Sequence, residues 1–323
     1  MITAYLQYEH SIQSVEINAD NVTLLSQALW IDMMDPTKEE EKIIEKIMNI
    51  DIPTKREMQE IEPSDRLYKE DNAIFMTATI LAKSDSSEPK TDAVSFIMTS
   101  EKLLTVRYIE PHSFSLFSAR LKRLHKMNIH VDEFFIGLLE ATVDRIADIL
   151  ENISHSLDNL SQEIFRPKIS SNHEYNFKKM LQEIGTNADV GGKLRECLVS
   201  FNRMVSYYTQ IGPKSSEEST SRILVVNTDI AALSDHTNFI SNKVGLLMGA
   251  TLGMVNIEQN DIIKIFSVAA VIFLPPTLIA SIYGMNFKII PELNWYLGYP
   301  FAIILMILSG WLPYRYFKKK KWL

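Results

Sequence analysis

The chain has 323 residues, 40 acidic and 33 basic, and the charge is unevenly placed: residues 261–323 hold two acids and seven bases, leaving 38 acids against 26 bases in residues 1–260. So acidic a majority argues against nucleic acid as a partner, because that recognition rests on neutralising phosphates with Lys and Arg; it suits divalent cations better. Cys197 is the only cysteine, which excludes an intrachain disulfide and fits a reducing compartment.

Residues 1–125 read as an α/β domain. Short segments rich in β-branched or aromatic residues predict strands at Ile2–Gln7, Ser11–Ile17, Leu29–Met33, Ala73–Leu81, Ala93–Met98 and Leu103–Tyr108. Pro36 opens a charged amphipathic helix, Thr37–Met48, and Pro53 opens a second that runs to Ile61. The strands are expected on a mixed sheet between helices. The opening residues, Met1 to Leu6, lack a basic segment followed by an apolar run, so no cleavable signal peptide is predicted.

Residues 126–215 read as a region of long helices. Asp132–Phe165 places Phe135, Leu138, Leu139, Val143, Ile146, Ile149, Leu150 and Ile153 at helical spacing, and Arg166-Pro167 ends it. A second long helix is predicted over Glu174–Gln210, before the Ile211-Gly212-Pro213 break. From Ser216 no proline occurs until Pro275. In this stalk, residues 216–261, the series Ile230, Leu233, Thr237, Ile240, Val244, Leu247, Thr251 and Met254 is a 3-4 heptad seam with six apolar members of eight. The stalk runs without interruption into an apolar stretch, and a helix of ~65 residues is close to 100 Å long. Such a rod can transmit motion or act as a rigid spacer; both readings are open.

Two uncharged stretches follow: Ile265–Tyr283, 19 residues, and Trp295–Tyr314, 20 residues. Each exceeds the ~18 residues that mark a candidate membrane span; the alternative is a buried helix pair in a soluble core. The expected layout is a first transmembrane helix at 262–286, an external loop at 287–294, a second transmembrane helix at 295–314 and a basic tail at 315–323. Arg315 and Lys318 to Lys321 follow the second span directly, so the positive-inside bias places the tail, and with it the N-terminal part, in the cytoplasm. Trp295, Tyr296, Trp311 and Trp322 sit where interfacial aromatics are expected.

Stepping along the first span by 3 and 4 gives Gly249, Gly253, Asn256, Asn260, Ile263, Ser267, Ala270, Leu274, Thr277, Ser281 and Gly284. Most are small or neutral-polar, while Phe266, Val268, Val271, Ile272, Phe273 and Ile279 fall elsewhere. The series reads either as a tight helix–helix interface or as the lining of a pore made by several copies around an axis, with the second span outside. No ionisable residue lies on this face between Asn260 and Gly284, so no carboxylate ring strips the ion inside the membrane. Mg²⁺ sheds water reluctantly, and neutral amide and hydroxyl oxygens can hold it through its water shell. Ile263 and Leu274 would be apolar constrictions, able to close by dewetting. Pro275-Pro276 removes backbone donors and should bend the helix.

Tyr283-Gly284-Met285-Asn286-Phe287, at the end of the first span, resembles the signature of the CorA family of magnesium channels. Pro291-Glu292-Leu293 follows at the family's usual place, and Asn256 to Asn260, Phe273 to Thr277 and Trp30-Ile31-Asp32 resemble the enterobacterial-type branch. The resemblance covers the whole chain and is strongest from Leu246 onward. It implies a funnel-shaped homopentamer in the inner (cell) membrane, with first spans lining the pore. Mg²⁺, also Co²⁺ and sometimes Ni²⁺, would enter past a selectivity mouth built from Tyr283, Gly284, Met285 and Asn286. There Asn286 supplies a ring of amide oxygens, Gly284 permits a sharp backbone path and Tyr283 supports it. The resemblance also implies sensing of internal Mg²⁺ at acidic sites between neighbouring soluble domains. The matching N-domain acid is Glu60, and on the stalk Asp229 or Asp235 could serve, because the best-aligned stalk position is Val225. Lys288 departs from relatives that carry an acid there and, with Glu292, makes the loop formally neutral.

The function so implied is passive uptake driven by the membrane potential and gated by intracellular Mg²⁺, not an enzymatic reaction. The chain shows no Gly-rich phosphate loop with a Walker lysine, no His-Glu-x-x-His or paired-cysteine zinc spacing among its seven histidines, and no Ser/His/Asp nucleophile context. A zinc transporter of the related ZntB type and a membrane-anchored, non-conducting sensor are the competing readings.

Overall fold

A computed structural model describes residues 1–323 except 9–10, 71, 85, 87, 124–128, 166–175, 214–215, 287, 289, 292–294, 321 and 323. The chain divides into two compact units, Met1–Leu247 and Met248–Leu323.

The first unit is built on a seven-stranded mixed sheet. Its strands are β1 (Ile2–Tyr8), β2 (Ser11–Ile17), β3 (Trp30–Met34), β4 (Leu67–Glu70), β5 (Ala73–Ala82), β6 (Lys90–Met98) and β7 (Leu103–Arg107). They lie in the order β2-β1-β3-β7-β6-β5-β4. The pairing is antiparallel except between β3 and β7, which run parallel with Asp32 opposite Thr105. The alternation along the strands sends one set of side chains to each face. On one face Ala4, Leu6, Ile31, Met33, Ile97 and Val106 join Ile44 and Met58 in a continuous apolar cluster. Ile44 belongs to α1 (Lys38–Met48) and Met58 to α2 (Lys55–Met58). The other face is aromatic. Trp30 stacks on Tyr5 at 3.9 Å, and Phe96 meets Phe135 edge-on at 5.6 Å. These rings are roofed by α4 (His112–Leu121), α5 (Val131–Phe165) and α6 (Phe177–Ile211).

Local chemistry sets the boundaries. Thr37 and Glu40 form a reciprocal capping box at the start of α1, and Thr54 with Glu57 does the same for α2. The helix predicted from Pro53 to Ile61 ends at Met58, and α3 (Pro63–Arg66) is a separate turn. Pro63 has no N–H to continue a helix and disfavours helical backbone at the residue before it. The strand β4 carries exposed Lys69 and Glu70, as suits a sheet edge, and was not predicted. It pairs with β5 only as far as Met76. Beyond that point α6 covers the edge, and the Thr79 N–H donates to Ser200 Oγ at 2.9 Å.

Helix α7 runs from Glu217 to Tyr283, 67 residues, and includes Pro275 and Pro276. Within the first unit it is joined to α5 twice. Arg222 donates two bonds to Glu140 at 2.8 and 2.7 Å, and Lys243 pairs with Asp158 at 2.7 Å. Of the heptad seam read from the sequence, Ile230, Thr237, Ile240 and Leu247 are buried and Leu233 and Val244 half-buried; Ile223 and Val226, which precede the seam, are buried too.

In the second unit α8 (Gly298–Lys319) begins three residues after the predicted start of its span and continues five residues past the predicted end. Arg315, Lys318 and Lys319 are therefore on the helix. The Arg315 guanidinium lies 5.2 Å from the Trp311 ring and the Lys318 ammonium 5.9 Å from Tyr314; such contacts draw cationic ends onto aromatic faces.

Candidate functional site

The second unit consists of the C-terminal part of α7 and α8, and the burial pattern shows how they pack. Val268 is 2% exposed and Ile272, Pro275, Pro276, Ile279 and Tyr283 are half-buried. On α8 Ala302 is buried and Ile303, Met306, Ser309, Gly310, Pro313 and Phe317 are half-buried. The helices meet at Gly310. A Cβ there would stand 3.3 Å from Pro276 Cγ and 3.4 Å from the Ile272 carbonyl oxygen. That carbonyl is the one Pro276 cannot bond, since proline lacks the N–H that would reach back four residues.

The small, neutral-polar series lies on the other side of α7. Asn256, Asn260, Ile263, Ser267, Ala270, Leu274, Thr277 and Ser281 are all exposed. At ~100° per residue, from 3.6 residues per turn, this stripe and the stripe beneath α8 point in nearly opposite directions. The series is therefore not the α7–α8 interface. Thr277 Oγ1 donates a hydrogen bond back to the Phe273 carbonyl at 2.7 Å, and a hydroxyl oxygen so used can still accept one. At the start of the apolar stretch Lys264 pairs with Asp261 at 2.8 Å. Only 6% of the most apolar 18-residue window is buried in α7, and likewise in α8. A core helix of a soluble protein would be mostly buried; these two are long and apolar enough to cross a membrane.

Helix α7 closes at Tyr283. The Gly284 N–H donates to the Ala280 carbonyl at 2.9 Å and the Met285 N–H to Ile282 at 3.2 Å, after which Asn286 leaves the helix with an exposed side chain. No glycine takes a positive φ among the described residues, and the space beside Gly284 is tight: a Cβ there would stand 3.2 Å from the Ala280 oxygen. Lys288 is exposed. Phe287 and the Glu292 and Leu293 positions of the loop motif lie outside the described residues.

Residues 26–319 match the family of CorA-like Mg²⁺ transporter proteins. The chain belongs to the CorA family. Magnesium transport protein CorA of Yersinia pseudotuberculosis and that of Escherichia coli (strain K12) are each 33% identical to it, with the whole of each chain covered; the Sodalis glossinidius protein is 34% identical with the same coverage. The solved CorA magnesium transporter of Methanocaldococcus jannaschii superposes with a TM-score of 0.76, covering 100% of this chain and 99% of that one at 17% identity. The cytoplasmic domain of ZntB from Vibrio parahaemolyticus superposes at 0.54, 11% identical, over 79% of this chain. These two likenesses show that the fold is the CorA fold. The Yersinia, Escherichia and Sodalis relatives, alike over the full length, are CorA proteins, which makes the ZntB reading the weaker one.

The acids singled out in the sequence are spread over the first unit. Glu60, Asp229 and Asp235 are all exposed. Glu60 follows α2, and its carbonyl accepts a bond from Arg66 Nε. Asp229 lies on α7 near Asp144 of α5. Partial desolvation, followed by the charges of Glu140, Asp148 and Asp229, raises the Asp144 carboxyl above its ordinary range, with Arg120 opposing. Among the described residues of one chain no group of three or more His, Cys, Asp or Glu is placed to hold a metal ion.

Two features of this region carried no sequence signal. Gly310 is one of 11 glycines and sits in an ordinary apolar stretch, so nothing local marks it as the contact point. The Arg222–Glu140 clamp joins residues 82 apart, with a long helix between them.

Proposed function

We propose that several copies of this chain, five by the family resemblance, assemble around the uncharged stripe of α7 and conduct Mg²⁺ into the cell, with Co²⁺ and Ni²⁺ as further cargo. The observation that carries this reading is that Ser267, Ala270, Leu274, Thr277 and Ser281 are exposed on the side of α7 opposite α8. The second span leaves that face open to other copies, and small neutral residues there suit a hydrated cation, whose water shell they can bond without stripping. The exposed apolar residues of α8, such as Ile304 and Ile307, are suited to lipid. Asn286, just beyond the helix end, would bring one amide oxygen per copy to the outer mouth, and Arg315 with Lys318 to Lys320 would hold the other end in the cytoplasm.

The driving force is the membrane potential. A divalent ion crossing 100 mV gains ~4.6 kcal/mol, at about 2.3 per charge, so no ATP is required. Control by internal Mg²⁺ follows from charge. A bound cation would relieve the repulsion among Asp144, Glu140 and Asp229 and could bridge to Glu60 of another copy, holding acidic units together; its loss would free them. Since one chain does not gather three ligands among its described residues, such a site needs two copies. Asp235 is the second stalk candidate.

The test is Mg²⁺ uptake into proteoliposomes under an inside-negative potential, with Asn286→Ala beside the native protein and parallel Zn²⁺ and Co²⁺ traces. The native protein should take up Mg²⁺ and the variant much less. A Zn²⁺ trace exceeding the Mg²⁺ trace would favour the ZntB reading, and no flux of any ion would leave a non-conducting sensor.

A further inference from the structure

Where α6 covers the edge of β5 lies a pocket of about 410 Å³ whose lining reverses the charge of its surroundings. Arg195 and Arg203 stand eight residues apart on one face of α6, a rise of ~12 Å, and Arg66 faces them from the end of α3. Glu196 is the one acid in the lining, so the pocket carries two net positive charges within a region of 38 acids and 26 bases.

The three guanidiniums are differently held. Arg66 is anchored: its Nε donates to the Glu60 carbonyl and its Nη1 to Thr79 Oγ1 at 3.2 Å, leaving Nη2 unused. Burial lowers its pKa, Glu196 opposes that, and the nearby Arg203 lowers it further. Arg195 and Arg203 are exposed and take part in no hydrogen bond or ion pair among the described residues. Arg195 and Arg203 thus add no bond to the fold, whereas planar guanidiniums are the side chains best matched to phosphate oxygens. Leu67 and Val199 add an apolar wall, and the volume falls in the ~300–1,000 Å³ range of small-molecule sites.

We propose that this pocket binds a di- or triphosphate group, free or carried by a nucleoside. Arg195 and Arg203 would clamp the phosphates from two sides while anchored Arg66 fixes their position. This inference does not depend on ion conduction.

The experiment is calorimetric titration of the full-length protein in detergent with EDTA present, so that no metal bridges ligand to protein. The probes are ADP, inorganic pyrophosphate and adenosine. Saturable binding of ADP or pyrophosphate is expected, weakened at least tenfold by the Arg195→Gln/Arg203→Gln double substitution, which removes no internal bond and should leave Tm unchanged. Val199→Trp, which fills the pocket but keeps every charge, should weaken it as well. ADP binding tighter than pyrophosphate identifies the nucleoside-borne form, and equal affinities the free form. Binding of neither, binding of adenosine as tight as that of ADP, or affinity unaltered in both variants overturns the proposal.

Discussion

Gly310 of α8 lies against Pro276 of α7 so closely that a Cβ on the glycine would stand 3.3 Å from the proline Cγ. Pro276 leaves the Ile272 carbonyl without its helical donor, and the missing side chain at Gly310 lets the second helix approach that carbonyl. The contact fixes which face of α7 is covered and hence which is left open. Gly310→Ala places a Cβ 3.3 Å from the proline ring, an overlap that a few tenths of an ångström relieves. Gly310→Leu cannot be so relieved, and overpacking of this kind costs about 1–3 kcal/mol. Thermal unfolding of the detergent-solubilised protein should show a small shift for the alanine variant and a large drop for leucine. Equal Tm values for all three would mean the helices do not meet there.

Water should reach one side of α7 and not the other. The native cysteine does not interfere: Cys197 is buried, and burial pushes its thiol up to about 12, so it holds almost no thiolate at neutral pH and should be inert until the protein unfolds. Single substitutions can therefore be read against the native background. Ser267→Cys and Thr277→Cys are expected to react with a membrane-impermeant methanethiosulfonate at least tenfold faster than Val268→Cys in the reconstituted protein. Equal rates at the three positions would remove the water-filled path.

Periodicity made the long elements legible. In the seam from Ile230 to Leu247 four members are buried and Leu233 and Val244 half-buried, because a helix that long can hide its apolar side chains only along one stripe. The uncharged runs marked both membrane helices for the same kind of reason. What stayed illegible depends on partners distant in sequence. The strand β4 is four residues with two charges, and only the Tyr68–Phe75 ring stack at 4.6 Å shows why it pairs. The stripe of small residues was visible, but a sequence cannot say whether such a stripe faces α8; that depends on the contact at Gly310.

Asp32, quoted in the sequence only beside Trp30 and Ile31, forms a buried fork with Arg107, 75 residues later. Arg107 Nη2 donates to Asp32 Oδ2 at 2.8 Å, and Nε reaches both oxygens at 3.1 and 3.2 Å. Thr105 donates to the same carboxylate at 2.7 Å and Trp30 Nε1 to Thr105 at 3.0 Å, so the parallel β3–β7 junction is polar at its centre and fully bonded. Arg107→Ala strands a buried carboxylate, and breaking such a pair typically costs ~3–5 kcal/mol. Arg107→Lys keeps the charge and loses the fork; it should recover only part of the loss. Denaturant titration of the three proteins checks this. A loss below 1 kcal/mol for Arg107→Ala would show that Asp32 finds another partner.

The acidic contact between α5 and α7 predicts a pH signature. Partial desolvation and the neighbouring charges raise the Asp144 carboxyl in the folded protein, whereas in the unfolded chain it titrates near the ordinary value of about 3.9. A folded pKa above the unfolded one means the folded state holds its proton more tightly, so stability falls as pH rises between the two values. The penalty is absent below the unfolded pKa and complete above the folded one. Asp144→Asn removes it. The variant should therefore have a higher Tm than the native protein at pH 7, with the difference shrinking as pH falls through the carboxylate range. Mg²⁺ should narrow the gap at pH 7, because a cation beside Glu140, Asp144 and Asp229 relieves the same repulsion in the native protein. A Tm difference independent of pH would place the effect of the substitution in packing, and a gap insensitive to Mg²⁺ would separate this patch from cation sensing.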